Sequence, residues 1–132
     1  MSVMNEVREN RLLARWAELL PRHPGQVGAI QDADAELVPL DDDMLLALTV
    51  DSLSEEIEAG LYTAAVAGRV VVAACLSDLA AVGAQPTGLL LSVTLPRAGP
   101  DATQAAVAEG AGKACREAGV FVLGGDTGEG DR

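Results

Sequence analysis

Four aspartates stand at or near the ends of hydrophobic segments: Asp32, Asp51, Asp78 and Asp126. Isolated surface acids do not usually recur in this way. A metal–phosphate site would require it, because magnesium takes hard oxygen ligands in near-octahedral geometry and shares them with phosphate. Asp126 belongs to Gly124-Gly125-Asp126-Thr127, directly after the apolar run Val120-Phe121-Val122-Leu123. The two glycines let a backbone approach an anion or take up positive φ. Gly-Gly-Asp is also a common turn, and alone the motif reads as one. Asp32 and Asp34 lie in the carboxylate-dense run Gln31–Glu36, which is either solvated surface or a further set of metal ligands. Asp78 sits in a long apolar stretch, where an ionised carboxylate is costly unless paired, ligated or hydrogen-bonded to a nearby turn. Arg69, after Gly68 in the same stretch, either pairs with a loop carboxylate or reaches a phosphate.

Other chemistries are poorly served. There is no Gly-x-x-x-x-Gly-Lys-Ser/Thr pattern and no Gly-x-Gly-x-x-Gly after a strand. His23 is the only histidine and lies in a Pro-Gly linker, so a Ser-His-Asp triad has no support. Lys113, the only lysine, falls within a helical pattern and reads as surface. Cys75 and Cys115 sit in apolar helical contexts without zinc spacing and read as structural thiols. A net charge of −11 argues against nucleic acid and anionic membranes as partners. It does not argue against a nucleotide, because a divalent ion can bridge carboxylate to phosphate. The polar N-terminus is no signal peptide, and charge interrupts every apolar run short of a membrane span. A cytoplasmic protein is the expectation.

The elements that must position these residues read as follows. Asn5 caps a helix over about 6–20, with Leu12, Leu13, Trp16, Leu19 and Leu20 on one face. Leu37–Leu40 is a short edge strand, since Pro39 is poorly tolerated inside a sheet. Met44–Val50 is a strand expected at the centre of a sheet, with Asp51 immediately after it. Residues 52–62 form a short helix or a loop. Ala64–Val82 is a helix apolar on almost all sides, interrupted at Ser77-Asp78 and ended by Gly83 and Pro86. Leu89–Leu95 is a strand with Leu89, Leu91, Val93 and Leu95 on one face and Leu90, Ser92 and Thr94 on the other. Asp101 or Thr103 caps a helix to about Ala118, with Gly119 as its C-cap. Val120–Leu123 is the last strand, and Gly-Gly-Asp-Thr is the loop beyond it. If the strands before Asp51 and Asp126 are parallel neighbours, both carboxylates emerge at one sheet edge, where α/β ligands commonly bind. The order gives an α+β, two-layer fold with helices on one side of the sheet. Residues 1–23 are a helix and linker, and 24–132 the main domain. With 49% apolar residues and only Trp16, Tyr62 and Phe121 as aromatics, the core must be built from Ala, Val and Leu. Such a domain gains from a partner surface.

Taken together, these motifs resemble the N-terminal domain of the AIR synthase-related superfamily, most of all its thiamine-monophosphate kinases. The pieces that carry the resemblance are Thr49-Val50-Asp51-Ser52-Leu53, Gly68-Arg69 through Leu76-Ser77-Asp78-Leu79-Ala80-Ala81-Val82-Gly83-Ala84-Gln85-Pro86, the strand ending Thr94-Leu95-Pro96, and Gly124-Gly125-Asp126-Thr127. The resemblance implies a four-stranded mixed sheet with helices on one face, two such sheets pairing into a barrel in a homodimer. It implies ATP near that interface, with Mg2+ between its phosphates and Asp51, Asp78 and Asp126, assisted by Asp32 or Asp34. Gly124, Gly125, Thr127 and Arg69 would contact the nucleotide, and a small phosphorylated molecule would be the acceptor.

The chain departs from the family pattern in two loops. The first loop is usually Gly-Asp-Asp-Ala, and here it is Gln31-Asp32-Ala33-Asp34. After Asp51 the kinases carry Gly-x-His-Phe, where this chain has Glu58-Ala59-Gly60-Leu61. The family also continues into a C-terminal domain that closes over substrate, and this chain stops at Arg132. It reads as an excised domain, a natural short protein, or a half that meets its other half on a separate chain, and as inactive alone. The alternatives to an ATP/Mg-binding kinase or synthetase domain are a non-catalytic dimerisation or regulatory module and an acidic protein-interaction domain.

Overall fold

A computed structural model describes residues 3–95, 97 and 101–130. Pro96, the last residue of one motif above, lies outside the described residues. The chain divides into two compact units, Met1–Thr49 and Val50–Arg132.

The first unit holds helix α1 (Val3–Leu19) and strands β1 (Glu36–Pro39) and β2 (Leu45–Leu48). Helix α1 begins before Asn5, so Asn5 is inside the helix and not its cap. Strands β1 and β2 pair antiparallel, Glu36 opposite Leu48 and Pro39 opposite Leu45, across the Asp41–Asp43 turn. Pro39 ends its strand, where its missing N–H costs least. Strand β2 pairs with β1 alone among the described residues, so the central place expected for it is not observed. It also ends at Leu48, leaving two residues between the strand and Asp51.

The second unit contains α2 (Ser54–Glu58), α3 (Ala64–Ala81), β3 (Gly88–Leu95), α4 (Asp101–Ala118) and β4 (Phe121–Glu129). The Thr63 hydroxyl caps α3 by accepting from the Val66 N–H. Helices α3 and α4 end in the same way. Gly83 and Gly119 take φ of 69° and 67°, and the chain turns back to bond Ala84 N–H to Leu79 C=O and Val120 N–H to Cys115 C=O. Left-handed glycine at this position is the common helix stop. Helix α4 starts at Asp101, and Thr103 lies within it. The expected break at Ser77-Asp78 is absent, because α3 runs unbroken through both residues. Helix α3 is long and apolar enough to cross a membrane by length and composition alone, with Arg69 and Asp78 within it.

Strands β3 and β4 are parallel neighbours joined through α4. The four strands thus include both senses, as an antiparallel pair and a parallel pair. Val72 of α3 packs with Ala111, Ala114 and Cys115 of α4, over Leu89 and Leu91 of β3. That leaves Leu90, Ser92 and Thr94 exposed on the opposite face, as the alternation predicts. The helices approach closely because Gly68 and Gly110 stand at their crossing. A Cβ on Gly68 would overlap the Val107 carbonyl oxygen, and one on Gly110 would overlap that of Ala65.

The largest departure from expectation is in β4. Gly124-Gly125-Asp126-Thr127 is not a loop after the strand but part of it. Leu123 is an extra residue in the ladder, since Leu89 faces Val122 and Leu90 faces Gly124. Beyond this bulge Gly125, at φ 150°, lies so near the Leu91 carbonyl that any Cβ would overlap it. The glycines therefore let β4 continue alongside β3, where a turn was expected.

Candidate functional site

Asp51 lies in the segment ahead of α2, and its Oδ1 accepts from the Ser52 N–H at 2.9 Å. Asp78 sits half-buried near the end of α3. Cys75 lies one helical turn before Asp78 on α3, and both Asp51 and Asp78 are near enough to act on its charge. Burial pushes the Cys75 thiol above its ordinary range. The negative charges of Asp51 and Asp78 act in the same sense, while a hydrogen bond from the Asp51 backbone opposes them. A thiol so placed stays protonated at neutral pH. Sequence reading took Cys75 for structural only; its i, i+3 spacing from Asp78 was the available sign that it shares that aspartate's helix face.

Asp126 is placed differently. It faces Ser92 across the ladder, so it shares the sheet face of Leu90 and not the helix-covered face of Leu89 and Leu91. The condition for Asp51 and Asp126 to emerge from parallel neighbouring strands is not met among the described residues, where β2 pairs with β1 and β4 with β3. Gly124 and Gly125 serve the β4 backbone as described, and Thr127 faces Val93. Thr127 also borders a shallow hollow of about 270 Å³ with Leu95, Gln104, Gly128 and Glu129, at the carboxyl ends of β3 and β4. Gln104 and Glu129 were not anticipated, and no local motif marks them.

Arg69 makes a two-bonded ion pair with Glu117, Nη2 to Oε2 at 2.8 Å and Nη1 to Oε1 at 3.3 Å. Its partner is thus a carboxylate of α4, where the sequence leaves a loop carboxylate or a phosphate open. The pair is about half exposed and ties the two helices together at their surface.

In the first unit, the carboxylates of the 24–36 loop shape the loop itself. Asp32 Oδ2 accepts from the Ala29 N–H at 2.8 Å, and Glu36 accepts from Gln31 N–H at 2.7 Å and from the Gln26 amide. Asp34 contributes its backbone carbonyl to the Thr49 hydroxyl. Gln31 has φ 61°, the one left-handed non-glycine among the described residues. Glycine takes this conformation more readily than glutamine does. Glu36 is the hub that sequence reading missed.

Among the described residues, no three His, Cys, Asp or Glu side chains converge as a ready metal cluster. Asp51 and Asp78 each offer carboxylate oxygen, the donor type that magnesium takes alongside water and substrate phosphate.

Known proteins agree with the pattern. The sequence profile of the AIR synthase related protein N-terminal domain matches residues 32–132. Thiamine-monophosphate kinase of Pyrococcus horikoshii is 32% identical over 127 residues, covering 96% of this chain and 39% of the relative. Selenide, water dikinase of Carboxydothermus hydrogenoformans is 34% identical over 101 residues, covering 76% of this chain and 28% of the relative. The chain thus spans well under half the length of either relative, and their similar identities favour neither branch. No solved structure matches it. A profile match over most of the chain, with the Ser-Asp and Gly-Gly-Asp-Thr motifs inside it, places this protein in the AIR synthase related family through that family's N-terminal domain.

Proposed function

We propose that this chain is the ATP- and magnesium-binding part of a small-molecule kinase or ATP-dependent synthetase. The observation that carries the reading is the family match over residues 32–132, with Asp51, Asp78 and Asp126 inside it. Asp51 and Asp78 would hold magnesium, which when bound offsets phosphate charge. Asp126, Thr127, Gly124 and Gly125 would lie along the nucleotide. None of them is a nucleophile, because a terminal phosphoryl group can pass directly to an acceptor once both are positioned. The names of the two relatives support phosphoryl transfer as the reaction class. A thiamine-monophosphate-kinase-like transfer to a small phosphorylated acceptor is the finer form of the proposal, and it requires the region that positions the acceptor.

The test is calorimetry of the chain with a non-hydrolysable ATP analogue, with and without magnesium. Asp51→Asn and Asp78→Asn are expected to remove magnesium-dependent affinity while circular dichroism stays unchanged. Unaltered affinity in both variants would reject the assignment.

A second reading, a dimerisation or regulatory module on the same scaffold, is favoured by one feature. The uncovered face of β3 and β4 exposes Leu90 at 73% and Phe121 at 72%. Apolar area of this kind marks an interaction surface, and a second copy of the sheet is the proposed occupant. Nucleotide binding without phosphoryl transfer in the complete natural protein would support this reading over the first.

A further inference from the structure

We draw no further inference here: the strongest candidate, the exposed apolar stripe of Leu12, Trp16, Leu19 and Leu20 along α1, has nothing in the structure to show what covers it.

Discussion

Replacing Gly110 with alanine tests the architecture beneath the site. In an isolated helix the change would stabilise by about 1 kcal/mol, since alanine favours helix over glycine by that amount. At this crossing the new Cβ would overlap the Ala65 carbonyl oxygen of α3, a backbone atom that cannot turn away. The helices must separate, and overpacking of this kind costs about 1–3 kcal/mol. Separation also loosens Val72 against Ala111, Ala114 and Cys115. A gap of about 0.5–1 Å forfeits a quarter to a half of each dispersion contact. Set against the helix gain, the overpacking cost leaves a net loss of up to about 2 kcal/mol, to which the forfeited contacts add, out of the roughly 5–15 kcal/mol that stabilises a domain. Gly112→Ala is the control in the same helix. Its Cβ would meet only the flexible end of Arg116, with Nη1 at 3.2 Å, so it should gain up to about 1 kcal/mol. Urea unfolding followed by circular dichroism reads both variants as shifts of midpoint at constant slope. Opposite signs are expected. If Gly110→Ala proves as stable as Gly112→Ala, the close crossing of α3 and α4 is wrong.

Three further outcomes follow from local geometry. Gln31→Gly should raise stability by about 0.5–1 kcal/mol in the same assay, because a left-handed L-residue costs about 1–2 kcal/mol and glycine's greater unfolded-state entropy returns only part of that; no gain would refute the left-handed conformation. The Cys75 thiol is raised chiefly by burial, so its contribution to stability is intact below the unfolded thiol pKa of about 8.5 and is lost as pH rises beyond it. Unfolding measured between pH 7 and 10 should therefore fall more steeply for the wild-type chain than for Cys75→Ala, and parallel slopes would count against the buried thiol. Sedimentation at micromolar concentration should show a dimer that Leu90→Glu weakens at least about tenfold; a monomeric wild-type chain, or an unaffected dimer, would remove the sheet face as the interface.

The fold was legible where one residue type decides the local backbone. Gly83 and Gly119 stop their helices, and the alternation in Leu89–Leu95 gave both faces of β3. Helix α3 was legible from length and alanine content, but its continuity through Asp78 was not. A carboxylate in an apolar run signals a break only if it must be buried, and Asp78 stays partly accessible. The close approach of α3 and α4 was hidden for a related reason. Glycine in a helical pattern reads as a weakness, and only the opposite backbone reveals that Gly68 and Gly110 make room for a carbonyl.

The site shows the same limit more sharply. Gly-Gly before an acid favours a turn on local chemistry, and nothing within four residues distinguishes a turn from a strand pressed against its neighbour. The deciding atom is the Leu91 carbonyl, distant in sequence, whose position forbids a Cβ on Gly125. Extending β4 through the motif fixes where Asp126 can act. Opposite Ser92, it shares the exposed sheet face with Leu90, the face proposed to meet a second copy. Asp51 and Asp78 instead both act on the charge of Cys75, a residue of a helix that packs on the other face. If both groups serve one nucleotide, the dimer and the magnesium pair are coupled parts of a single requirement. The Leu90→Glu variant should then lose nucleotide affinity along with the dimer, although Leu90 carries no ligand atom. Magnesium-dependent affinity retained in a fully monomeric Leu90→Glu chain would separate the two and confine the binding site to Asp51 and Asp78.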